Sequence, residues 1–470
     1  MKIKTFICMV IIVLCTVFCV NAKSTEYIVR FKDGYIPDVQ KYGLTEVYAP
    51  KGIYTTYDVD ALEEIKEHIE YTEENAEIFL DVPDVPEYPM LFANDAYYSD
   101  QWWVGAIGME GAWSYGGYGE EIKVAVIDSG CNSHIDLQNN MLAGYNYSGG
   151  NTDVTDVDVD SYGSTRHHGT HVCGIIGAEA NSIGIKGIAP RVKIVPLKCF
   201  SPNTTTSNVA KAIREAVEKY GCRVVNMSFG STTNSSTIRE AVNDALDLGA
   251  ILVAAVGNDS ATTKRYPAAC SGVIGVGSVE KNKTKSSFSN YNESVMIAAP
   301  GKSIKSLRGT NAYGILSGTS QASPVIAGVA AVALSLKPDL TRDEFIELLT
   351  STAEDLGDSG YDTSFGYGLV NAEELMNKLT SDYYVSPISV SDGDASVTIT
   401  NNTDAPVTVI SIMAEYDEED MVVGARRIER TILEGQETTV SMSVGSGTKI
   451  SHFLWNTDYE PISARRDKEV

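Results

Sequence analysis

The alternation of apolar and polar residues divides the chain into three parts. In the first part, "TEYIVRFKDG" alternates like a strand, Leu62, Ile65 and Ile69 recur at helical spacing, and "AEIFLDV" predicts another strand. The proline-rich acidic stretch "VPDVPEYPMLFANDAYYSDQ" then favours a linker, because prolines interrupt regular structure. We therefore expect residues 23–93 to form a small α+β unit.

A parallel sheet is expected in the second part, residues 94–380. Apolar runs alternate there with helical patterns such as "SNVAKAIREAVEKYG" and "STIREAVNDALDLG". Continuous apolar strands are buried on both faces, which predicts an α/β fold with helices on each side of the sheet. The expected strands lie in "IKVAVIDSG", "VKIVPLKCF", "RVVNMSFG", "AILVAAVGN" and "GVIGVGSV". Such folds bind ligands at the carboxyl ends of their strands.

The third part, residues 385–470, has short alternating segments separated by polar turns. Its expected strands lie in "ASVTITNN", "PVTVISIMAEYD", "ETTVSMSV" and "HFLWN". Closely spaced short strands without helices between them predict a small β-sandwich.

Residues 1–22 have the pattern of a secretory signal peptide. Lys2 and Lys4 precede an apolar run, and small residues end at Ala22. The run, about 16 residues, is short for a membrane span, and no second run of spanning length follows. We therefore expect a secreted, extracellular protein without a membrane anchor; a transmembrane anchor is the alternative.

Charge and cysteine content narrow the choice of partners and of covalent links. The chain carries a formal net charge of −25, which argues against nucleic acid or an anionic membrane as the main partner. Cys8, Cys15 and Cys19 lie in the expected signal peptide, and five cysteines remain. We expect most of the five to be small buried residues, and the sequence leaves one disulfide open.

Three segments place a reactive side chain at a strand end or at a helix start. Asp128 ends the strand "VAVIDSG", His168 precedes a small-residue helix in "HHGTHVCG", and Ser320 begins an apolar helix in "SGTSQASP". A serine hydroxyl becomes a nucleophile when an imidazole takes its proton, and a carboxylate must orient that imidazole. Taken singly, Asp128 or Ser320 could be a turn or capping residue.

These three motifs, in this order, resemble those of the subtilisin family of serine peptidases. The resemblance covers the whole second part and implies a triad of Asp128, His168 and Ser320, with His168 as general base. It implies that the amide of Asn258 and the backbone N–H of Ser320 bind the developing oxyanion. His171 is expected to be packed and hydrogen-bonded, and His167 to be a loop residue. A zinc site is disfavoured, because no further set of ligand residues lies at metal-binding spacing.

The resemblance also implies substrate contacts. "NMSFG" is similar to the family segment that pairs with the substrate backbone, so Ser228, Phe229 and Gly230 are expected to line the cleft. In "TTKRYPAAC", Arg265 corresponds to the base of the primary specificity pocket, where it would favour acidic or amide side chains. A second alignment moves Arg265 to the pocket rim or to solvent, and both readings stay open.

A structural calcium ion is the cofactor that the resemblance implies. "HIDL" is similar to a family motif whose aspartate binds calcium, here Asp136, and "AEANSIGIKG" is similar to the loop that completes the site. The remaining expected ligands are the side chains of Gln101 and Asn181 and the carbonyls of Glu179, Ile183 and Ile185. Mixed oxygen donors of this kind suit calcium; an ordinary surface loop is the alternative.

The acidic run "DVTDVDVD" offers a second place for a cation. Asp153, Asp156, Asp158 and Asp160 could form a cation site there, but a solvated loop is the favoured interpretation.

Residues 23–93 resemble the family's inhibitory propeptide, which aids folding and lies in the cleft until it is cut. We expect the cut within "EYPMLFANDAYY". The expected protein is a self-processing zymogen of a serine endopeptidase that acts on proteins or peptides and is inhibited by its own propeptide. The alternatives are a catalytically silent binding protein that acts through its β-sandwich, and a processing peptidase with a single partner.

Overall fold

The structure is a computed structural model. It describes residues 26–32, 35–48, 51–58, 60–75, 77–78, 91–92, 97–158, 165–200, 203–380, 382–386, 388–391, 393–403, 405–417, 422–445, 447–455, 457 and 466–469. The expected signal peptide, most of the stretch expected to contain the propeptide cut, and Asp160 lie outside the described residues.

A seven-stranded parallel sheet forms the centre of the molecule, as the apolar runs predict. Its strands lie in the order Ile297–Pro300, Ile274–Val279, Ile251–Ala255, Val224–Met227, Lys123–Asp128, Lys193–Lys198 and Tyr145–Asn146. Successive side chains of a strand point to opposite faces. Val124 and Val126 accordingly pack into one hydrophobic core, and Ala125 and Ile127 pack into a second.

Helices cover both faces of this sheet. The histidine helix (His168–Gly177) and the nucleophile helix (Thr319–Leu336) contribute to the first core, and the helices Thr206–Glu218 and Ser236–Asp247 to the second. Further helices span Trp102–Ala106, Met109–Trp113, Arg342–Ser351 and Ala372–Thr380. Of the helices that the structure describes, only the nucleophile helix is long and apolar enough for a membrane span, and it is almost wholly buried inside the fold.

The N-terminal unit is a four-stranded antiparallel sheet with one short helix. Its strands lie in the order Thr45–Tyr48, Ile53–Thr56, Tyr27–Phe31 and Ile69–Glu74. The helical spacing is right for Leu62 and Ile65, which are buried in the 3₁₀ helix Asp60–His68. It is wrong for Ile69, which begins a strand because the chain there pairs with Tyr27–Phe31.

Two short elements lie in the stretch predicted as a linker. Leu91–Phe92 adds to a small antiparallel sheet with Ala312–Leu316 and Ile304–Arg308. Tyr97–Asp100 forms a 3₁₀ helix. The linker prediction is therefore incomplete, because pairing with a neighbouring strand orders a segment that has little pattern of its own.

The C-terminal unit consists of two antiparallel sheets that share one core. One contains Tyr383–Val385, Ser389–Ser391, Asp394–Asn401 and Glu437–Ser443, and the other contains Val407–Tyr416, Val422–Ile432, Lys449–Trp455 and Arg466–Glu469. Val397 and Ile399 of the first sheet pack with Val409 and Met413 of the second. This arrangement confirms the predicted β-sandwich.

Candidate active site

Asp128 and His168 are in direct contact at the centre of the molecule. His168 Nδ1 lies 2.7 Å from Asp128 Oδ1, and both side chains are fully buried. Burial lowers the pKa of His168, but the charge of Asp128 and its hydrogen bond raise the pKa more, so the net shift is upward. The carboxylate therefore fixes the tautomer of the imidazole and favours its protonated form.

Two glycines allow this contact. A Cβ atom at Gly169, directly after His168, would lie 2.1 Å from the carbonyl oxygen of Gly130. Gly130 itself has a φ of 116°, and a Cβ atom there would lie 2.3 Å from the carbonyl oxygen of Val154. Only glycine tolerates such close approach, which explains the glycines that follow Asp128 and His168 in the two motifs.

Ser320 lies in the first turn of the nucleophile helix and is fully buried. Its hydroxyl donates to the carbonyl oxygen of Ser228 at 3.0 Å. Within the described part of the chain, His168 Nε2 has no hydrogen-bond partner. The structure therefore contains no hydrogen bond between the Ser320 hydroxyl and His168 Nε2, and catalytic hydrogen bonds are often incomplete without substrate.

A set of neutral side chains, here called the serine network, lies around Ser320. Asn226 Nδ2 donates to Ser228 Oγ, Ser228 Oγ donates to the carbonyl oxygen of Ser320, and Ser323 Oγ donates to Asn226 Oδ1, each at 2.9 Å. All four side chains are fully buried. The network fixes the start of the nucleophile helix against the strand Val224–Met227.

Asn258 follows the strand Ile251–Ala255 and is held by the start of the same helix. Its Oδ1 accepts hydrogen bonds from the backbone N–H of Thr319 at 2.8 Å and from Thr319 Oγ1 at 3.1 Å. Because the oxygen is engaged in this way, Nδ2 is the end of the amide suited to donate to a substrate oxygen. The helix N-terminus adds a partial positive charge.

Ser228, Phe229 and Gly230 continue from the strand Val224–Met227. Phe229 is buried against Phe200, with ring centroids 5.2 Å apart. A Cβ atom at Gly230 would lie 2.9 Å from Cβ of Arg265. The structure thus brings Arg265 beside the segment predicted to bind substrate.

Arg265 is paired with the residue that follows Asn258. Its Nε donates to Asp259 Oδ2 at 3.0 Å, and the Arg265 side chain is only 19% exposed. Arg265 is thus partly buried, in contrast to the solvent-exposed position that was one option of the second alignment.

The other histidines of the motif have structural partners. His171 is buried, and its Nε2 lies 3.0 Å from the carbonyl oxygen of Ile304. Burial, followed by the charge of His168, lowers the pKa of His171 to about 3. This confirms the packed histidine that the sequence predicts. His167 precedes the helix with a φ of 54° and contacts Asn132 at 3.0 Å.

The acidic run is not a solvated loop throughout. Asp153 is exposed, but Asp156 and Asp158 are buried. Asp158 pairs with Arg166 at 3.1 Å. Among the residues that the structure describes, no three His, Cys, Asp or Glu side chains are grouped as for a metal ion. The solvated-loop interpretation is therefore right for Asp153 and wrong for Asp156 and Asp158, whose side chains are bonded to protein groups, and the cation site, which includes Asp160, stays a prediction.

Asp136, the first predicted calcium ligand, is fully buried beside the loop 179–187. Its Oδ2 accepts from the backbone N–H of Ile185 at 3.0 Å and from the Tyr313 hydroxyl at 3.2 Å. Its Oδ1 has no hydrogen-bond partner among the described residues. Burial raises the pKa of Asp136 to about 7.

The remaining predicted calcium ligands lie on this loop or bond to it. The amide of Gln101 donates to the carbonyl oxygen of Lys186 at 2.8 Å and accepts from its N–H at 2.9 Å. Asn181 Oδ1 accepts from the N–H of Ile183 at 3.0 Å. The N–H of Glu179 donates to the carbonyl oxygen of Asp136 at 2.8 Å. Gln101 and Asp136 are therefore hydrogen-bonded to the loop 179–187, which carries the other predicted calcium ligands.

Sequence reasoning missed three side chains of the site. Asn226 and Ser323 belong to the serine network, and Asp156 is bonded to both catalytic segments, as described below. A polar residue within an apolar run, as in "VVNMSF", is the signal that could have identified Asn226.

The arrangement is suited to attack by a serine on a carbonyl group. A buried carboxylate orients an imidazole, a serine begins an apolar helix, and an asparagine amide lies beside the same helix start. These are the parts of a serine hydrolase that works through a covalent intermediate.

Comparisons with known proteins identify the family. The sequence model of the subtilase family matches residues 119–368. The thermostable alkaline protease of Halalkalibacterium halodurans is 34% identical over 333 residues, which cover 70% of this chain and 88% of that protein. Subtilisin DY of Bacillus licheniformis is 38% identical over 263 residues, 54% of this chain and 90% of that protein. The chain belongs to the subtilase family and is a serine-type endopeptidase.

Two further matches extend the comparison. The minor extracellular protease Epr of Bacillus subtilis is 35% identical over 327 residues, 68% of this chain and 48% of that protein. A solved protease structure from Pseudoalteromonas arctica is 31% identical with a TM-score of 0.55, and the match covers 62% of this chain and 100% of that one.

Proposed function

We propose that the protein is a secreted zymogen of a serine endopeptidase and that it processes itself. Ser320 attacks the peptide carbonyl while His168 takes its proton, and Asp128 stabilises the imidazolium that results. His168 then returns the proton to the leaving amine, and water hydrolyses the acyl-enzyme. The contact between Asp128 and His168 at 2.7 Å is the observation that carries this proposal.

The oxyanion is bound by the amide of Asn258 and by the backbone N–H of Ser320. Donors that are already oriented towards the developing charge stabilise the transition state without reorganisation. The hydrogen bonds from Thr319 to Asn258 Oδ1 support this role, because they hold the amide in one orientation.

Contacts of residues 23–93 support an inhibitory propeptide. The Glu73 carboxylate accepts from Ser235 Oγ, Ser236 N and Thr237 N at 2.8 to 3.0 Å, at the start of the helix Ser236–Asp247. A carboxylate is favourable at a helix N-terminus. Glu77–Ile78 then pairs as an antiparallel strand with Thr204–Thr205, so the chain runs onto the peptidase surface in the manner of a bound peptide.

Secretion is supported by the signal-peptide pattern of residues 1–22 and by the similarity to the minor extracellular protease Epr. We infer protein or peptide substrates from the family. We also infer that Arg265 favours acidic or amide side chains before the cut bond, since the aliphatic part of its side chain lies against Gly230, in the segment proposed to bind substrate. Comparing cleavage of Glu-, Leu- and Lys-containing peptides tests this, and a strong preference for Lys would overturn it.

A structural calcium ion fits the segment around Asp136. The buried Oδ1 without a partner and the oxygen donors of Gln101 and Asn181 match the ligands that calcium prefers. When bound, the ion would supply charge that offsets the buried carboxylate, and its role would be structural. On inactive Ser320→Ala protein, calcium should raise the melting temperature by several degrees over chelator. An unchanged melting temperature would count against the site.

Intact mass of purified full-length protein beside its Ser320→Ala variant tests the main proposal. We expect the native form alone to lose residues 23–93 and to hydrolyse peptides, since loss of the serine in subtilisin costs about 10⁶ in kcat. A native form that keeps the segment and cleaves no peptide would favour the silent binding protein. Cleavage of unrelated unfolded proteins would separate general proteolysis from a single-partner peptidase.

A further inference from the structure

Asp156 is a second buried carboxylate next to the catalytic pair, and the reaction described above does not use it. Only 1% of its surface is exposed. Ser129 Oγ and Asp158 N donate to its Oδ1 at 2.9 and 3.2 Å. The N–H and the hydroxyl of Thr170 both donate to its Oδ2 at 2.8 Å.

Three of these four donors come from the segments that carry Asp128 and His168, and the fourth, Asp158 N, lies in the same loop as Asp156. Ser129 directly follows Asp128, and Thr170 lies two residues after His168. Asp156 therefore joins the end of the strand Lys123–Asp128 to the first turn of the histidine helix. We call Asp128, Ser129, Asp156 and Thr170 the aspartate network.

The hydroxyl of Ser129 completes the connection. It accepts from the N–H of Gly169 at 2.9 Å and lies 3.2 Å from Asp128 Oδ1. One hydroxyl thus contacts the two carboxylates and the residue that follows His168. These hydrogen bonds link the residues next to Asp128 and His168 in a closed set.

Electrostatics alone would disfavour a carboxylate in this position. Burial raises the pKa of Asp156 and the charge of Asp128 raises it further, whereas the hydrogen bonds from Thr170 oppose the shift; the net direction is upward. Two carboxylates around one hydroxyl repel each other, and burial removes the water that would screen them. The presence of the carboxylate is therefore explained by the groups that it holds.

We propose that Asp156 is a positioning residue for peptide-bond hydrolysis, which fixes the imidazole of His168 relative to Asp128. The inference rests on the proposed triad. Three of the four hydrogen bonds of the Asp156 side chain come from Ser129 and Thr170, next to the proposed catalytic pair, so its loss should affect the chemical step rather than substrate binding.

The test is the substitution Asp156→Asn, which keeps the size of the side chain. One end of the asparagine amide then presents N–H groups to the same donor groups from which the carboxylate oxygen accepted hydrogen bonds. We expect kcat to fall about 10- to 100-fold, because small displacements of catalytic groups have effects of this size, while KM changes by less than about twofold. Values of kcat are taken per active site, titrated with a serine-directed phosphonate, so that unfolded protein does not count.

Asp153→Asn is the matched control. It makes the same change three residues earlier, at an exposed carboxylate that accepts from Thr155 N at 3.0 Å. Its kinetics should equal those of the native enzyme. An Asp156→Asn enzyme with native kcat, or with a lower melting temperature as its sole change, would overturn the proposal.

The pH profile gives a readout that a purely structural role would not move. Asp156→Asn should shift the acid limb of kcat/KM to lower pH, since an imidazole that is held less firmly against Asp128 is less stabilised as a cation. The charges that act on His168, those of Asp128, Asp158 and Arg166, stay in place. An unshifted limb together with native kcat contradicts the proposal.

A second pair of variants decides the matter if Asp156→Asn yields no mature enzyme. Thr170→Val removes one donor to Asp156, together with the acceptor of the Asn132 N–H at 3.0 Å, and keeps the shape, whereas Thr170→Ser keeps the hydroxyl and both bonds. A lower kcat for Thr170→Val with near-native Thr170→Ser supports the proposal, and equal kinetics overturn it. If native enzyme shows no turnover that depends on Ser320, the proposed function fails instead.

Discussion

The two halves of the catalytic site are held by different kinds of interaction. On the histidine side, the aspartate network places two buried carboxylates, Asp128 and Asp156, around one hydroxyl. On the nucleophile side, the serine network consists of hydroxyls and one amide and carries no formal charge. Both halves are buried to a similar degree.

The difference follows the charges that develop in the reaction. In the proposed reaction, His168 becomes a cation as it takes the serine proton, and a buried carboxylate lowers the free energy of that cation. The substrate oxygen beside Ser320 becomes negative in that reaction. A buried carboxylate next to Ser320 would repel this negative charge strongly, because the interior has a low dielectric constant. Neutral groups can hold Ser320 without this penalty.

Apart from the loss of Ser320 itself, the largest effect on the nucleophile side of the site is expected from Asn258→Ala. The variant loses a donor to the oxyanion, so kcat should fall by ~10²–10³, as measured for loss of this donor in subtilisin. KM should change little, because the hydrogen bond strengthens only in the transition state. Steady-state kinetics on a peptide substrate checks this. A fall in kcat below tenfold would mean that Asn258 contributes little to oxyanion binding.

The histidine side of the site, which carries the two buried carboxylates, should determine the pH dependence of kcat/KM. His168 accepts a proton only when neutral, so kcat/KM falls about tenfold per pH unit below its pKa. Since the pKa of His168 is raised, this fall should begin at a higher pH than for an ordinary histidine. His171 stays neutral in this range because its pKa is about 3. A pH–rate profile with its acid limb below the usual histidine range would contradict the expectation.

The sequence predicts five of the seven strands of the central sheet, because these five lie in mostly apolar runs, whereas Ile297–Pro300 and Tyr145–Asn146 were not predicted. The strand Val422–Ile432 was missed, since most of its side chains are exposed and include Arg426, Arg427 and Arg430. That strand is specified by pairing with Val407–Tyr416. Local pattern carries no information about such pairing.

The residues of the candidate site divide in the same way, into those that a local motif identifies and those that depend on contacts with distant parts of the chain. Asp128, His168 and Ser320 were found because each lies in a short motif at a strand end or helix start. Asp156 was read as part of a charged loop, because its burial depends on contacts with Ser129 and Thr170, which lie 27 and 14 residues away in the chain.

The smallest effect is expected from Ser323→Ala, which sharpens the comparison between the two halves. The variant leaves Asn226 Oδ1 buried without its donor, at a cost of about 1–3 kcal/mol. The melting temperature, measured on the Ser320→Ala background to prevent self-digestion, should fall by a few degrees. In active enzyme, kcat should fall several-fold, because the start of the nucleophile helix is held less firmly. The acid limb should not move, because no charge near His168 has changed.

Ser335→Ala, on the same helix but bonded to Val332, is the control with native kinetics. A shift of the acid limb in Ser323→Ala would show that the neutral half also sets the pKa of the base, and the contrast between the halves would fail.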